Sequence, residues 1–314
     1  MKIMRNSTGV TALVAAMVLG GCASVAAHQD TPAPLPAVVE PAPVEPAPAA
    51  PQTTPIRPAE QWLFGSAEAS VIIRQTYDAM TQYAITAAKT RDEDRAKRQS
   101  VVLGAGATLQ APHFASCGTK PAAVIFDADE TLIWNLGQAR WAAERGAHFD
   151  PKVWDDWERT GEGKVLPMPG VVDALKALRA ANITVVVNTN REARNAAQTA
   201  ATLKTAGLGD FVHGETLFLK GDDTTGSAKD ARRSKIAERY CVVAMVGDQL
   251  GDFAQAFNDK ALTAAQRRTL ATATPVYALW GKGWFLLPNS TYGPWDRISY
   301  DDAFPAATRW EPQP

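Results

Sequence analysis

The 314-residue sequence lacks an excess of charge of either sign and contains few cysteines and histidines. Its 32 lysines and arginines balance 33 acidic residues to a net charge of -1, so the composition does not indicate a nucleic-acid partner. A long apolar run is missing at the N-terminus, because Val10 to Leu19 is shorter than the roughly 20 residues of a membrane-spanning helix. The four histidines lack metal-site spacing, and we interpret all of them as structural: His28, His113, His148 and His213.

Apolar residues make up 46% of the chain, which is enough to bury a full core. At this length we expect one large domain, or one domain with a small cap. Nine tryptophans are many, and some could form a stacking surface for a flat ligand, although most tryptophans are core or rim residues.

The first residues have the pattern of a targeting segment. Lys2 and Arg5 precede the apolar run, which ends in Leu19-Gly20-Gly21-Cys22 and resembles a bacterial lipoprotein signal. We therefore predict a signal peptide over residues 1–21, lipidation of Cys22, and a membrane as partner through that lipid. Ala23 after the cysteine favours the outer membrane, with the folded domain in the periplasm or on the cell surface. A soluble secreted protein and an uncleaved anchor are the alternatives.

A stretch dominated by proline and alanine, from Thr31 to Pro58, separates this segment from the folded domain. Such a stretch cannot bury enough apolar surface to fold, and we predict a semi-rigid tether over residues 22–59. The predicted domain covers residues 60–314. Apolar residues recur at helical spacing from Gln61, which predicts an N-terminal helical layer outside a sheet, without chemistry of its own.

A buried strand that ends in carboxylates is the most informative stretch. The residues from Ala122 to Phe126 are all apolar, which is typical of a strand covered on both faces in a parallel α/β sheet. Asp127, Asp129 and Glu130 follow at once. Because ligands of such sheets bind beyond the carboxyl ends of the strands, we expect Asp127 and Asp129 where a substrate arrives, with a cation or a proton between them. An ordinary Asp-rich turn is the alternative.

Three more buried strands are predicted at Ile183 to Val187, Thr216 to Leu219 and Val242 to Val246, with helices between them. Alternating strands and helices predict right-handed parallel crossovers. The residues from about 135 to 168 combine aromatics with charges and end in prolines, which indicates a small helical cap over the strand ends.

Each predicted strand is followed by polar groups. Asp127 and Asp129 follow the first strand, Thr189 the second, and Asp248 and Asp252 the last, while a lysine follows the third. Carboxylates from two strands can share one Mg²⁺, which prefers oxygen ligands. A lysine and a hydroxyl supply the counter-charge and hydrogen bonds that a phosphoryl group needs during transfer. The combination indicates phosphoryl chemistry.

The order of these motifs resembles the haloacid dehalogenase (HAD) superfamily of phosphotransferases. Further stretches are similar to the class C acid phosphatases, which include the lipoprotein e type 5'-nucleotidases. These stretches are Asp-Ala-Asp-Glu-Thr at 127–131, Phe149-Asp150-Pro151 with Trp154 and Trp157, Gly247 to Phe253, Leu287-Pro288-Asn289, and Tyr292-Gly293 with Trp295. The resemblance covers roughly Gln61 to Trp295. It implies a HAD-like Rossmannoid three-layer α/β/α fold with a central parallel sheet, a small helical cap and an N-terminal helical extension.

The resemblance implies a chemical role for each motif residue. Asp127 is expected to be the nucleophile that forms an aspartyl-phosphate, and Asp129 the general acid and then the base. Thr189 matches the residue that hydrogen-bonds the transferring phosphoryl group, although it could be an ordinary turn residue. Lys229 is the expected phosphate-neutralising lysine, and Lys220 is its competitor because the loop between them blurs the register.

The resemblance also implies a Mg²⁺ site. Asp127, Asp248 and the main-chain carbonyl of Asp129 would be the protein ligands. Asp252 would orient Lys229 or a metal-bound water, unless it is only an acid at a helix N-terminus that the helix dipole stabilises.

In the family's nucleotidases the base stacks between aromatic side chains, and any base offers a face for stacking. Our candidates for substrate binding are Asn190, Trp141, Tyr292 and Trp295, and core packing is the alternative for the aromatic ones. Arg191 and Arg232 either touch phosphate or only cap and pair, and we leave them out of the catalytic set.

One disulfide is predicted from the resemblance. In this fold the strand after Cys117 and the strand that begins at Cys241 are parallel neighbours. We therefore expect the two cysteines to pair at the end of the sheet opposite the active site, which suits an oxidising compartment.

The predicted activity is Mg²⁺-dependent hydrolysis of phosphate monoesters, with nucleoside 5'-monophosphates as the expected substrates. A non-catalytic surface lipoprotein of the same fold, which binds a ligand or a host component, is the alternative, and the intact acidic set argues against it. A dehalogenase would lack the acid at position 129. The oligomeric state is open, with a homodimer as one option.

Overall fold

A five-stranded parallel sheet lies at the centre of the protein's computed structural model, which describes residues 56–93 and 99–313. All described residues belong to one compact unit, Gln52–Pro314. The predicted signal peptide, Cys22 and the tether as far as residue 55 lie outside the described residues. Among the helices that the structure describes, none combines the length and the apolar character needed to cross a bilayer.

Helices and strands alternate along most of the chain. The helices are α1 (Pro58–Gly65), α2 (Ala67–Glu93), α3 (Leu136–Arg145), α4 (Pro151–Thr160), α5 (Val171–Ala180), α6 (Ala196–Thr205), α7 (Asp230–Arg239), α8 (Ala264–Thr272) and α9 (Tyr300–Ala303). The strands are β1 (Gln99–Leu103), β2 (Phe114–Ser116), β3 (Ala122–Phe126), β4 (Ile133–Trp134), β5 (Leu166–Pro167), β6 (Thr184–Glu192), β7 (Leu217–Lys220), β8 (Cys241–Gly247) and β9 (Trp284–Leu286). The central sheet has the order β7-β6-β3-β8-β9.

Strand β3 occupies the middle of this sheet and fixes where its neighbours end. Phe126, the last residue of β3, pairs with Val187 of β6 and with Val246 of β8, and all of these pairings are parallel. The polar residues that follow these positions therefore come to the same edge of the sheet.

The apolar sequence of β3 explains the layers of the fold. Val124 and Phe126 belong to a core that includes residues of α2 and α5, whereas Ala123 and Ile125 belong to a second core with residues of α7. Successive side chains of a strand point to opposite faces, so a wholly apolar strand must be covered on both sides. The predicted α/β fold, with a central parallel sheet covered on both faces, is confirmed.

The fifth strand, β9, has no counterpart among the four strands that the sequence predicts. Trp284 is fully buried, and its Nε1 donates a hydrogen bond to the carbonyl of Val101 (2.9 Å). A strand of three residues is too short for a periodic pattern, so only its packing against β8 distinguishes it from a turn.

Strand β6 is longer than predicted, because it continues from Val187 through Glu192. The segment Asn188 to Arg191 is therefore extended backbone rather than a turn. The next helix, α6, begins only at Ala196, after a short 3-10 turn at Ala193–Asn195.

Helices α3 and α4 fill the segment between β4 and β5, which pair antiparallel. Asp150 caps α4, since its carboxylate accepts a hydrogen bond from the N–H of Lys152 (2.7 Å), and Pro151 occupies the first turn. Gly146 ends α3 with φ of 57°, a left-handed conformation that suits glycine. These local signals place two short helices beside the carboxyl edge of the sheet.

The N-terminal helices α1 and α2 pack outside the sheet. Tyr77 of α2 is fully buried, and its hydroxyl donates a hydrogen bond to the carbonyl of Thr131, just after the acidic motif. Helix α1 begins at Pro58, two residues before the predicted domain boundary at 60, because proline is favourable in the first turn of a helix.

A disulfide joins Cys117 to Cys241 across 124 residues of sequence. Cys241 opens β8 beside Ala122 at the start of β3, so the bond lies at the end of the sheet away from Asp127. It closes a large loop that contains the acidic motif, the segment of α3 and α4, and most of the central sheet.

We predict that removal of this disulfide by the double substitution Cys117→Ser and Cys241→Ser lowers the free energy of unfolding by about 4–5 kcal/mol, the loop-closure value for a loop of this size. Urea unfolding under non-reducing conditions measures the difference. A reducing agent should destabilise the parent protein and leave the double variant unchanged. Detection of both residues as free thiols in the denatured, non-reduced parent would contradict the prediction.

Candidate active site

Three strands bring polar residues to one edge of the sheet. Asp127 follows β3, and its N–H donates a hydrogen bond to the carbonyl of Val246 in β8 (3.0 Å). Asp248 follows β8 directly, and Thr189 lies within β6. The parallel register of β3, β6 and β8 thus brings to one edge residues that are far apart in sequence.

Lys229 connects two of the acidic residues. Its Nζ donates hydrogen bonds to Oδ1 of Asp127 (2.5 Å) and to Oδ1 of Asp252 (2.7 Å), and all three side chains are buried. Lys220, the competing lysine, instead pairs with Glu192 (2.7 Å) and is partly exposed. The structure therefore brings Lys229, and not Lys220, into contact with the acidic cluster.

Burial and charge compete at Asp127 and Lys229. Burial raises the pKa of Asp127 well above its usual range, and the charge of Lys229 offsets this only in part because Asp252 and Asp248 add repulsion. Burial acts to lower the pKa of Lys229, but the carboxylates of Asp127 and Asp252 outweigh it and raise the pKa above its ordinary value. This direction favours the charged form of Lys229.

Asp248 presents one largely free oxygen. Its Oδ2 accepts hydrogen bonds from Asn289 Nδ2 (2.7 Å) and Gln249 Nε2 (3.0 Å), whereas Oδ1 has only a long contact with the hydroxyl of Thr131 (3.4 Å). Burial, followed by the charge of Asp252, raises the pKa of Asp248 to about 7. A cation near Oδ1 would remove this penalty.

A carboxylate oxygen from each of Asp127, Asp248 and Asp252 lies within 4.8 Å of the others, a spacing that could hold a metal ion. Oxygen donors of this kind match the preference of Mg²⁺. The cluster contains the two predicted side-chain ligands, Asp127 and Asp248, and adds Asp252, while the main-chain carbonyl of Asp129 stays a prediction. Asp252, however, already accepts hydrogen bonds from Lys229 and from the N–H of Gln249 (2.9 Å).

Asp129 belongs to a separate network. Nε of Arg191 donates to its Oδ1 (2.9 Å) and Oδ2 (3.2 Å), and NH2 of Arg191 donates to Oδ1 (2.7 Å). Nδ2 of Asn135 also donates to Oδ1 (3.0 Å). Arg191 is 1% exposed and Asn135 is 2% exposed, whereas Asp129 is less buried and lines the cavity described below.

Thr189 and Asn190 occupy the end of β6. Thr189 is fully buried, and its hydroxyl accepts a hydrogen bond from the N–H of Arg191 (3.2 Å), so the side chain does not line the cavity described below. Arg232 of α7 donates to the carbonyl of Thr189 and to Oδ1 of Asn190 (2.7 Å). Asn190 is exposed and does line the cavity.

Glu130 receives no role in the sequence analysis, yet it lines the cavity described below. Its backbone adopts φ of 53°, which is rare for a residue with a side chain. Tyr292 donates its hydroxyl proton to Oε2 (2.6 Å), and the N–H of Asn135 donates to Oε1 (3.1 Å). Burial, and then the charge of Asp129, raises the pKa of Glu130 to about 7. The left-handed backbone conformation distinguishes Glu130, but it cannot be read from the sequence, so sequence reasoning missed this residue.

These residues surround an open cavity of about 940 Å³, large enough for a phosphate ester with a bulky leaving group. Tyr292 lines this cavity, but Trp141 and Trp295 do not. Trp141 instead lies on the exposed face of α3, where the guanidinium of Arg145 covers its ring. Of the aromatic residues that the sequence suggests for substrate binding, only Tyr292 is therefore at the cavity.

Several other side chains of the cavity wall have no assigned role in the sequence analysis. Phe149 and Trp154 lie at the N-terminal end of the α4 segment, with ring centroids 6.2 Å apart. His148 also lines the cavity, although we interpreted the histidines as structural. The N-terminal layer takes part as well, since α1 and the residue before it contribute Arg57, Glu60 and Phe64.

Comparison with known proteins agrees with this geometry. The family model for the HAD superfamily, subfamily IIIB (acid phosphatase), matches residues 59–295. Two solved structures are similar to the chain: the class C acid phosphatase from Bacillus anthracis, and the same enzyme with tungstate bound. Each shares 22% sequence identity and a TM-score of 0.59, and the alignment covers 79% of this chain and 89% of that chain. At this identity the two structures support the fold.

The acidic cluster makes the metal-free protein sensitive to pH. Asp248 and Glu130 have pKa values of about 7 in the folded state, above their ordinary values, so the folded protein binds more protons than the unfolded chain between about pH 4 and 7. Stability should therefore fall as the pH rises through 7. We expect a loss on the order of a few kcal/mol between about pH 4 and 7, measured by urea unfolding with EDTA.

Asp248→Asn should weaken this pH dependence, because the amide cannot ionise. The matched control is Asp156→Asn on the exposed face of α4, which should behave like the parent protein. An Asp248→Asn profile identical to that of the parent would show that ionisation of this cluster does not limit stability.

Proposed function

The chain belongs to subfamily IIIB, the acid phosphatases, of the HAD superfamily, and we propose that this phosphomonoester hydrolase is Mg²⁺-dependent and acts on nucleoside 5'-monophosphates through an aspartyl-phosphate. The observation that carries the mechanism is the contact of Asp127 with Lys229 beside Asp248 and Asp252. This arrangement supplies a carboxylate nucleophile and a fixed positive charge at one point.

Asp127 is suited to nucleophilic attack because its two oxygens differ. Oδ1 is held by Lys229, whereas among the described residues no side chain hydrogen-bonds Oδ2. In the first step Oδ2 forms a bond to phosphorus while the bond from phosphorus to the leaving oxygen breaks, and the electron pair stays with that oxygen. Lys229 stabilises negative charge on the transferring group.

Asp129 faces the same cavity and is the proton donor in this proposal. It gives a proton to the leaving oxygen as the ester bond breaks, and the alcohol departs. In the second step Asp129 takes a proton from a water molecule that attacks phosphorus, which releases phosphate and restores Asp127. The net reaction consumes one water and yields one alcohol and one phosphate.

Mg²⁺ would be held by Asp127 and Asp248, with Asp252 or the main-chain carbonyl of Asp129 as a further ligand. When bound, the ion would neutralise charge on the phosphoryl oxygens and on the clustered carboxylates. The free Oδ1 of Asp248 and the mutual spacing of the three carboxylates support this assignment.

The nucleotide preference rests on the wall of the cavity. Tyr292 and Trp154 belong to different parts of the chain, the loop after β9 and helix α4, and both line the space beside the acidic cluster. Aromatic faces stack on any base, so the wall suits nucleosides without selecting one of them. The Bacillus anthracis enzyme has been solved with tungstate, an oxyanion, and we propose that this chain likewise accepts a phosphate-like oxyanion.

We also propose that the protein is a lipoprotein, as its N-terminal sequence predicts. A lipid on Cys22 would hold the enzyme at the outer membrane through the tether of residues 22–59, with the catalytic domain in the periplasm or on the cell surface. Release of a nucleoside from a charged nucleotide in that compartment would produce a molecule that can be imported. A homodimer is compatible with this arrangement.

We predict that Asp127→Asn lowers phosphate release from AMP and from p-nitrophenyl phosphate by roughly 10⁴-fold or more, because the amide cannot form the phospho-enzyme. EDTA should abolish turnover by the parent enzyme, and Mg²⁺ should restore it. Asp156→Asn, with the same change at an exposed site, should retain activity. If folded, Mg²⁺-loaded parent protein releases no phosphate from any ester, the non-catalytic binding lipoprotein becomes the better hypothesis.

We predict that Trp154→Ala raises KM for AMP by about tenfold relative to KM for glycerol phosphate, because one base-stacking contact contributes about 1–3 kcal/mol. Trp141→Ala is the matched control, since Trp141 is a partly exposed tryptophan on the adjacent helix that does not line the cavity. Steady-state kinetics with the two substrates gives the ratio. Equal KM changes for AMP and glycerol phosphate in Trp154→Ala would argue against stacking.

A further inference from the structure

Arg191 is a buried arginine that the mechanism above does not use. It is 1% exposed, lies in β6 two residues after Thr189, and does not line the cavity. A buried guanidinium is costly unless its charge is compensated. Its main ion pair is with Asp129, at 2.7 Å.

The contacts of Arg191 make the two oxygens of Asp129 unequal. Oδ1 accepts from both Nε and NH2 of Arg191 and from Nδ2 of Asn135, at 2.9, 2.7 and 3.0 Å. Oδ2 has only the longer contact with Nε at 3.2 Å. Because a carboxylate oxygen with three short donors has little capacity left, Oδ2 is the oxygen that can exchange a proton with a substrate.

Asn135 also holds the Asp129 carboxylate, from a second direction. Its Oδ1 accepts from NH2 of Arg191 (2.9 Å) and from Nε1 of Trp157 in α4 (2.9 Å). Both acceptor directions of the amide are thereby occupied, which determines that its Nδ2 points to Asp129 and Glu130. The Asp129 carboxylate is consequently held from β6 by Arg191 and from the α4 side through Asn135.

We propose that Arg191 is a positioning residue, which holds the Asp129 carboxylate by Oδ1 so that Oδ2 faces the leaving oxygen of the ester. Arg191 acts through Asp129 and touches neither substrate nor metal. The proposal rests on the function proposed above, in which Asp129 transfers the proton.

A leaving-group comparison tests this role. A proton donor is needed when the leaving group is a strongly basic alkoxide, as from benzyl phosphate, and is dispensable for the weakly basic p-nitrophenolate. The two substrates are similar in size and both carry one aromatic ring. The ratio of their kcat/KM values reports the first step of the reaction, and it does not depend on the fraction of correctly folded enzyme.

Arg191→Lys keeps the positive charge but removes the hydrogen bonds that two guanidinium nitrogens donate to Asp129. We expect the ratio of kcat/KM for benzyl phosphate to that for p-nitrophenyl phosphate to fall by about 10²-fold, the lower range of general acid catalysis. Arg232→Lys is the matched control: Arg232 is a buried arginine bound to the end of the same strand, without contact to Asp129. It should lower both rates in proportion.

The double variant Asp129→Asn with Arg191→Lys completes the test. If Arg191 works through Asp129, the ratio in the double variant should equal that in Asp129→Asn alone. An unchanged ratio in Arg191→Lys, or a further fall in the Asp129→Asn background, would overturn the proposal. Failure of the proposed function would be distinct, since the parent enzyme would then release phosphate from neither substrate.

Discussion

The site depends on the two ion pairs that the ammonium group of Lys229 forms with Asp127 and Asp252. Carboxylates that are buried within 4.8 Å of each other repel strongly at low dielectric, and without a cation they would protonate or move apart. Lys229 compensates two of them from one nitrogen. It leaves Asp248 undercompensated, with a raised pKa, and this remaining imbalance would favour a divalent cation at the cluster.

The fold makes such a cluster possible because a parallel sheet ends all its strands at one edge. Asp127 and Asp248 are far apart in sequence, yet the register of β3 against β8 brings them together without any long-range signal in the side chains. For this reason the sequence was sufficient to predict four of the five strands, the acidic pairs and their meeting point. The position of the polar residues after each strand follows from the order and direction of the strands. The apolar runs in the sequence indicate that order and direction.

The substrate wall could not be predicted in the same way. Trp141 and Trp154 lie on the successive helices α3 and α4. The sequence does not distinguish which of the two tryptophans lines a binding cavity. Only the packing of α3 and α4 against the core decides that Trp154 faces the cavity while Trp141 faces Arg145. Likewise, β9 has three residues, and the left-handed conformation of Glu130 leaves no mark in the composition. Features set by side-chain packing remain invisible to periodicity.

Helix α4 is hydrogen-bonded to β6, the strand that carries Arg191, so hydrogen bonds connect the cavity wall to Asp129. Glu158 of α4 is buried, and its Oε2 accepts hydrogen bonds from the N–H of Glu192 (3.0 Å) and from Asn195 (2.9 Å), just after β6. Trp157, the adjacent residue, donates to Asn135. A displacement of α4 by a bulky substrate would therefore be transmitted through these bonds to Asp129. In the mechanism proposed above, this hydrogen-bond network would couple substrate fit to proton transfer.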